Sequence, residues 1–213
     1  MVWNETIPTL HVERFIFAAS SSTYGDNETI PKVEDEIGKP LSPYALTKYV
    51  DELYAHVFSI TYGLKYIGIR YFNVFGPRQK ADSPYSGVIP KFISALLKGE
   101  NPVIYGDGNQ TRDFIYVKNI AKANYEVALN DATGVYNIAH GKTTSINELL
   151  EIICEIMGYD CNPTYLPRPK GDIIDSVADI TKAQEEFGFK SEHDFKKELK
   201  ETIDYYVKEF NKE

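Results

Sequence analysis

Two groups of residues in the first quarter of the chain carry side chains that could do chemistry together. They are Ser20-Ser21-Ser22-Thr23-Tyr24-Gly25 and, after a loop, Ser42-Pro43-Tyr44-Ala45-Leu46-Thr47-Lys48. A tyrosine and a lysine four positions apart share one face of a helix, with Cβ atoms about 5–6 Å apart. An ammonium beside a phenol favours the phenolate. A shift of about 3 units in a phenol, roughly 4 kcal/mol, is within the range of active sites and would make it a base near neutrality. Taken alone, Tyr-x-x-x-Lys reads more readily as an amphipathic helix with an exposed lysine. The context moves it toward chemistry: Phe15-Ile16-Phe17-Ala18-Ala19 runs as a short buried strand into the serine cluster, and Tyr44 follows Ser20 by 24 positions.

The elements that must hold these groups can be read from periodicity. Arg14–Ala19 is a continuous apolar strand of the kind buried on both faces of a parallel sheet. Residues 26–43 contain Pro31, Gly38, Pro40 and Pro43 and form a loop. From Tyr44 to about Tyr62, Leu46, Val50, Leu53, Tyr54, Val57 and Phe58 recur at helical spacing, and Gly63 ends the helix. A second strand over 65–72 completes a βαβ unit. Beyond Gly76 the elements are shorter and mixed: a helix over about 88–98, strands at 102–105 and 112–116, a helix over about 118–130, and a strand at 134–139. Ser145 caps a helix running to about Met157, with Glu148 three residues on. Surface helices are expected at 179–187 and 192–210. Residues 1–11 show no period.

The totals exclude several classes. With 213 residues the chain can bury a sizeable core, and a net charge of −8, from 23 basic and 31 acidic residues without a basic run, argues against nucleic acid or an anionic membrane as partner. Cys154 and Cys161 fit neither a Cys-x-x-Cys metal site nor a disulfide framework and read as reduced structural residues. No apolar run approaches about 18 residues. Met1-Val2-Trp3-Asn4-Glu5 lacks the features of a signal peptide, so a cytoplasmic protein is expected.

Ala18-Ala19-Ser20-Ser21-Ser22-Thr23-Tyr24-Gly25-Asp26, Lys32-Val33-Glu34-Asp35 and Pro40-Leu41-Ser42-Pro43-Tyr44-Ala45 together resemble the extended short-chain dehydrogenase/reductases, in particular the NAD-dependent epimerase/dehydratase family and its UDP-N-acetylglucosamine 4-epimerase branch. The likeness runs from about Val12 nearly to the C-terminus. It implies an α/β chain: the C-terminal part of a Rossmann-type parallel sheet (residues 1–76) and a smaller α/β lobe, mainly substrate-binding (residues 77–213). It also implies NAD as cofactor and a UDP-sugar as substrate. By this resemblance Tyr44 is the catalytic base, Lys48 holds the cofactor ribose, and Ser20 hydrogen-bonds the reacting hydroxyl. Ser21 and Ser22 lie against the sugar. Tyr71 and Phe72 pack near the nicotinamide, Phe72 reading equally as core. Asn73 and Arg112 meet the diphosphate, Arg112 through a planar fork suited to phosphate. The backbone at Val88 meets the uracil.

Two further positions speak to the sugar. Ser176, four after Asp172, is small where the family gates the 2-substituent, which favours N-acetylated hexoses. Thr23 abuts Tyr24 directly, without the Asp-Glu that related dehydratases place there, which argues against dehydration. Pro169 and Ile174 stand where the family carries phosphate-clamping arginines, with Arg168 and Lys170 beside them.

The family's opening Gly-x-x-Gly-x-x-Gly loop is not found. The resemblance therefore implies weak NAD binding by this chain alone and an exposed apolar edge at Phe15–Ala19. Expected partners are a second copy or a chain supplying the N-terminal part. The alternatives are a non-catalytic nucleotide-sugar-binding or assembly subunit, or another epimerase or reductase of the same fold.

Overall fold

The computed structural model describes residues 12–80, 87–160, 162–169, 173–192 and 194–212. Its centre is a parallel sheet of three strands in the order β1-β2-β7, formed by Arg14–Ser20, Lys65–Tyr71 and Gly134–Ile138. The register sets Ala19 beside Arg70 and Ser20 beside Tyr71. Among the described residues β1 is paired on one side only and is an edge, with Phe15 exposed.

Side chains of β2 alternate between two helical layers, as the two-residue period of a strand requires. Ile67 and Ile69, fully buried, face α3 (Val117–Leu129) and α5 (Thr181–Phe187) in a cluster with Ala123, Val127, Ala183 and Phe189. Gly68 and Arg70 face α1 (Pro43–Tyr62). Gly68 is required there, because a Cβ would come within 2.7 Å of the Phe17 ring lying over it.

The second core is built by α2 (Val88–Leu97), α4 (Ile146–Met157) and α6 (Phe195–Phe210), and Ile93, Leu149 and Ile153 are completely buried in it. Short strands fill the remainder: β3 (Asn73–Phe75) beside β6 (Phe114–Tyr116), β4 (Val103–Tyr105) beside β9 (Thr164–Leu166), and β5 (Thr111–Arg112) between β10 (Asp175–Ser176) and β8 (Thr144–Ser145). No helix among the described residues is long and apolar enough to cross a membrane.

Three expectations change. The strand expected over 112–116 is broken at Asp113 into β5 and β6, which pair with different neighbours, because the Asp113 side chain turns inward to bond backbone N–H groups. The last helix is a core element, since Leu199, Ile203 and Tyr206 form a stripe buried against α2 and α4. Cys154 is disulfide-bonded and not reduced; Cys161 lies outside the described residues. The left-handed Gly158 (φ 72°), whose N–H bonds the Cys154 carbonyl, turns the chain back at the end of α4, so the seven-residue spacing does not continue along the helix. In α1 the helical spacing read from the sequence holds, with Leu46, Leu53, Tyr54, Val57 and Phe58 exposed and Ala45, Glu52 and Ala55 buried.

This contrast in burial has a measurable consequence. Leu149→Ala removes a side chain with no exposed surface and is expected to cost about 2–5 kcal/mol in urea unfolding. Leu46→Ala, 52% exposed, is expected to cost less than about 0.5 kcal/mol in the same measurement.

Candidate active site

The serine cluster sits where β1 ends. Ser20 is extended (φ −156°, ψ 144°) and caps a 3₁₀ turn, Ser21–Tyr24. Its Oγ accepts from Ser22 N at 3.1 Å and from Ser22 Oγ at 2.9 Å, which leaves the Ser20 hydroxyl proton as a donor unused by these bonds. Thr23, fully buried, donates to the Ser20 carbonyl at 2.8 Å and locks the turn from beneath. Ser21 and Ser22 are half-buried on its surface.

Helix α1 begins at Pro43, with Ser42 Oγ accepting from Ala45 N at 3.1 Å. A proline at the first helical position costs no hydrogen bond, and the serine supplies one of the missing acceptors. Tyr44 therefore stands in the first turn, 52% exposed. One turn on, Lys48 Nζ donates to the Ala18 carbonyl at 2.9 Å and lies 3.4 Å from Asp51 Oδ2. The lysine thus ties the helix that carries Tyr44 to the strand that ends in Ser20.

A second group lines a cavity of about 470 Å³ beside this ridge: Asn73, Val88 and Arg112, together with Phe72, Gln79 and Tyr105. Asn73 donates through both its backbone N and Nδ2 to the Asp113 carbonyl, at 3.1 and 3.2 Å. Val88 opens α2 after Gly87, with no side-chain cap, so the orphan N–H groups of that first turn are donors for a ligand. Arg112 Nη1 is held by the Thr111 and Ile174 carbonyls at 2.8 and 3.2 Å. Ser176 lies opposite Arg112 in the β10–β5 register.

Three residues fall differently. The Tyr71 hydroxyl donates to Asn124 Oδ1 at 2.9 Å, which directs it to α3 on the sheet face away from α1. Phe72 is buried against Tyr24, Ala139 and Ala178, with one edge on the cavity. Asp172 lies outside the described residues, as does Lys170, while Arg168 pairs with Asp107 at 3.3 Å in the turn after β4.

Sequence reasoning missed Asp113, which organises the cavity. Its carboxylate accepts from His140 N (2.8 Å), Gly141 N (3.0 Å) and Ala178 N (3.2 Å) with no exposed surface. Burial pushes its carboxyl up to about 6, against the pull of these three N–H donors. The signal was an acidic residue in the middle of an otherwise strand-like run, Thr111–Tyr116. Glu52 and Arg70 were missed as well, although a lone arginine in the apolar run 65–72 is the mark of a buried partnered charge.

Comparison with known proteins gives the family of the chain. Residues 4–139 match the NAD dependent epimerase/dehydratase family. The chain belongs to that family. A Methanocaldococcus jannaschii protein provisionally named UDP-glucose 4-epimerase is 41% identical over 195 residues, covering 91% of this chain and 63% of that protein. The UDP-N-acetylglucosamine 4-epimerase of Methanobrevibacter ruminantium M1, solved with UDP-N-acetylmuramic acid, superposes with a TM-score of 0.89 at 50% identity, over 92% of this chain and 64% of that one. The UDP-glucose 4-epimerase of Thermotoga maritima, solved with UDP-glucose, gives 0.89 at 39% identity, over 93% and 65%. The architecture is therefore the Rossmann-like α/β fold of these epimerases. The chain spans less than two thirds of the length of the relatives it matches, 63% of the first.

The Asp113 carboxyl gives a pH test. An acid whose folded value, about 6, lies above its ordinary 3.8 binds its proton more tightly in the folded state. Its stabilising contribution is complete below the unfolded value and is lost as pH rises through the folded one. Between pH 4 and 7, wild type is expected to lose about 2 kcal/mol relative to Asp113→Asn in urea titrations. A difference that stays flat over that interval would show that burial does not govern this carboxyl.

Proposed function

We propose that this chain carries the proton-transfer residues and the substrate lobe of an NAD-dependent UDP-sugar 4-epimerase, with UDP-GlcNAc and UDP-GalNAc as the interconverted pair. The observation that carries the reading is the junction of Lys48 with the Ala18 carbonyl, which sets the first turn of α1 beside the Ser20 end of β1. In this reading Tyr44 takes the proton from the sugar 4-hydroxyl and Ser20 holds that oxygen through its hydroxyl, with Ser21 and Ser22 against the ring. Bound NAD would supply the acceptor and donor of hydride at C4. Tyr44 and Lys48 are the residues fitted to hold its nicotinamide half, with Phe72 behind the turn at Tyr24, whereas the Tyr71 side chain, directed to α3, takes no part.

Epimerisation needs the 4-keto sugar to turn over while its nucleotide stays fixed. Arg112 and Asn73 supply donors for the diphosphate at one wall of the cavity, and the first turn of α2 at Val88 supplies them for the base. Asp172, the family's position on this side, belongs to the same proposal. Ser176, small and set beside Arg112, leaves room for an N-acetyl group. The Methanobrevibacter relative, named for UDP-N-acetylglucosamine, supports that choice. Residues 1–76, joined by β7, make the Rossmann part in this reading, and 77–213 mainly the substrate lobe, in a cytoplasmic enzyme.

A second reading, nucleotide-sugar binding without turnover, is favoured by one feature: the sequence holds no Gly-x-x-Gly-x-x-Gly stretch. Chromatography of UDP-GlcNAc incubated with protein and NAD separates the two. Epimerisation predicts UDP-GalNAc in the product, with a rate at least about 10²-fold lower in Tyr44→Phe. Binding without turnover predicts no product and an unchanged affinity for UDP-GlcNAc in Tyr44→Phe. Both readings require Arg112→Ala to weaken UDP, measured by titration calorimetry, by about 10- to 100-fold. Equal UDP affinity in Arg112→Ala and wild type would remove the cavity from the account.

A further inference from the structure

The helix that carries Tyr44 and Lys48 is attached to the sheet in an unusual way. Of its 20 residues only Ala45, Glu52 and Ala55 are buried. Two of these are alanines, which offer little shape to resist sliding or rotation. The third is a carboxylate. Glu52 accepts from Arg70 in a bidentate pair, Oε1 from Nε at 2.9 Å and Oε2 from Nη2 at 2.7 Å, with both side chains at least 95% buried. The remaining edge of the guanidinium donates from Nη1 to the Glu34 carbonyl at 2.8 Å, and its face lies 4.8 Å from the centre of the Tyr24 ring. Tyr24 Oη in turn donates to Asn137 Oδ1 at 2.6 Å, and Asn137 N donates to Glu34 Oε1 at 2.8 Å. The arginine is thus held on every side by α1, β7 and the loop between β1 and α1.

Position decides what this arrangement does. Tyr44, Lys48 and Glu52 follow one another at intervals of four, about 40° of rotation per step, so they lie along one stripe of the helix. Arg70 is registered beside Ala19, the residue before Ser20. A planar fork fixes direction as well as distance, unlike an apolar contact or a point charge. One end of the pair is therefore set against the serine strand and the other against the tyrosine stripe.

We propose that the Glu52–Arg70 pair is the positioning element of the active site: it fixes the rotation and axial setting of α1, and so the placement of Tyr44 and Lys48 against Ser20. The proposal rests on Tyr44 and Lys48 being the proton-transfer pair. Neither Glu52 nor Arg70 touches substrate in it. They act through the helix.

The test uses the full chain with Arg70→Lys, which keeps the charge and loses the fork, and with the double variant Glu52→Leu/Arg70→Met, which fills the same space with apolar atoms. Apolar replacement of a buried pair often preserves stability, so the double variant is expected to melt within about 5 °C of wild type. UDP affinity, set at the Arg112 cavity, is expected to stay within about twofold. Hydrogen exchange of amides 45–52, followed by mass spectrometry, is expected to quicken by about tenfold in both variants. UDP-GlcNAc turnover with NAD is expected to fall by about 10²-fold in kcat with little change in KM.

Wild-type exchange in α1 together with wild-type kcat would overturn the proposal. So would a parallel loss of UDP affinity and of exchange protection throughout the chain, which marks a merely structural pair. If wild type itself shows no turnover, the epimerase reading fails on that result. The exchange of α1 set against UDP affinity still decides the positioning role.

Discussion

The cavity wall at Asn73 and Arg112 depends on one carboxylate that is completely buried in the fold. Asp113 is satisfied by three backbone N–H groups from two separate segments, 140–141 and 178. A buried carboxyl left without such donors would cost several kcal/mol, so the segments must converge on it. Its own carbonyl accepts both donors of Asn73. One residue therefore sets the crossing of β3, the end of β7 and the segment leading from β10. It also explains why β5 and β6 are two strands: the backbone that turns the carboxylate inward cannot continue a single ladder.

The sheet side follows a different rule. An apolar face buries a helix without dictating its rotation closely, because dispersion contacts are individually small and undirected. Here the face of β2 toward α1 offers Gly68 and Arg70 where the opposite face offers Ile67 and Ile69. The result is an asymmetric sandwich. One side is a conventional core closed by α3 and α5; the other joins α1 through the Glu52–Arg70 pair beside the stacked rings of Phe15, Phe17 and Tyr66, with Leu46, Leu53 and Val57 on the outside. Burial of Tyr24 raises its phenol to about 12, against the opposing pull of Arg70, so the ring stays neutral beside the guanidinium and serves as a hydrogen-bond donor to Asn137.

Much of this could be read from the sequence, and the failures share a cause. The period of 44–62 gave the helix and Gly63 its end, both of which are local properties. Which face the helix buries is not local: the hydrophobic spacing gives a helix, but the strand beneath supplies a charge, and Glu52 answers it while Leu46, Leu53 and Val57 stay exposed. The motif around Ser20 and Tyr44 was legible because a turn, a cap and an i,i+4 pair are short-range. The roles of Asp113 and Asn137 were not, because their side chains bond residues from 27 to 113 positions away. α6 was misjudged for a related reason. Its stripe of Leu199, Ile203 and Tyr206 is diluted by lysines and glutamates, and only contact with α2 and α4 shows that it closes a core.

The two halves of the site are joined at a place neither motif marks. Lys32 N donates to the Val177 carbonyl at 2.8 Å, and Asp179 N donates to the Lys32 carbonyl at 2.9 Å, forming a bridge opposite Ala178. Asn137 Nδ2 donates to that same Lys32 carbonyl and to the Asp179 carbonyl, at 2.9 and 3.0 Å. The loop that leads into α1 is thereby stitched to the segment that follows Ser176, and Ala178 N is one of the three donors to Asp113. Ser176 and the loop that precedes Tyr44 are therefore held by one set of hydrogen bonds, between backbone groups at Lys32, Val177 and Asp179 and through the Asn137 side chain that spans both.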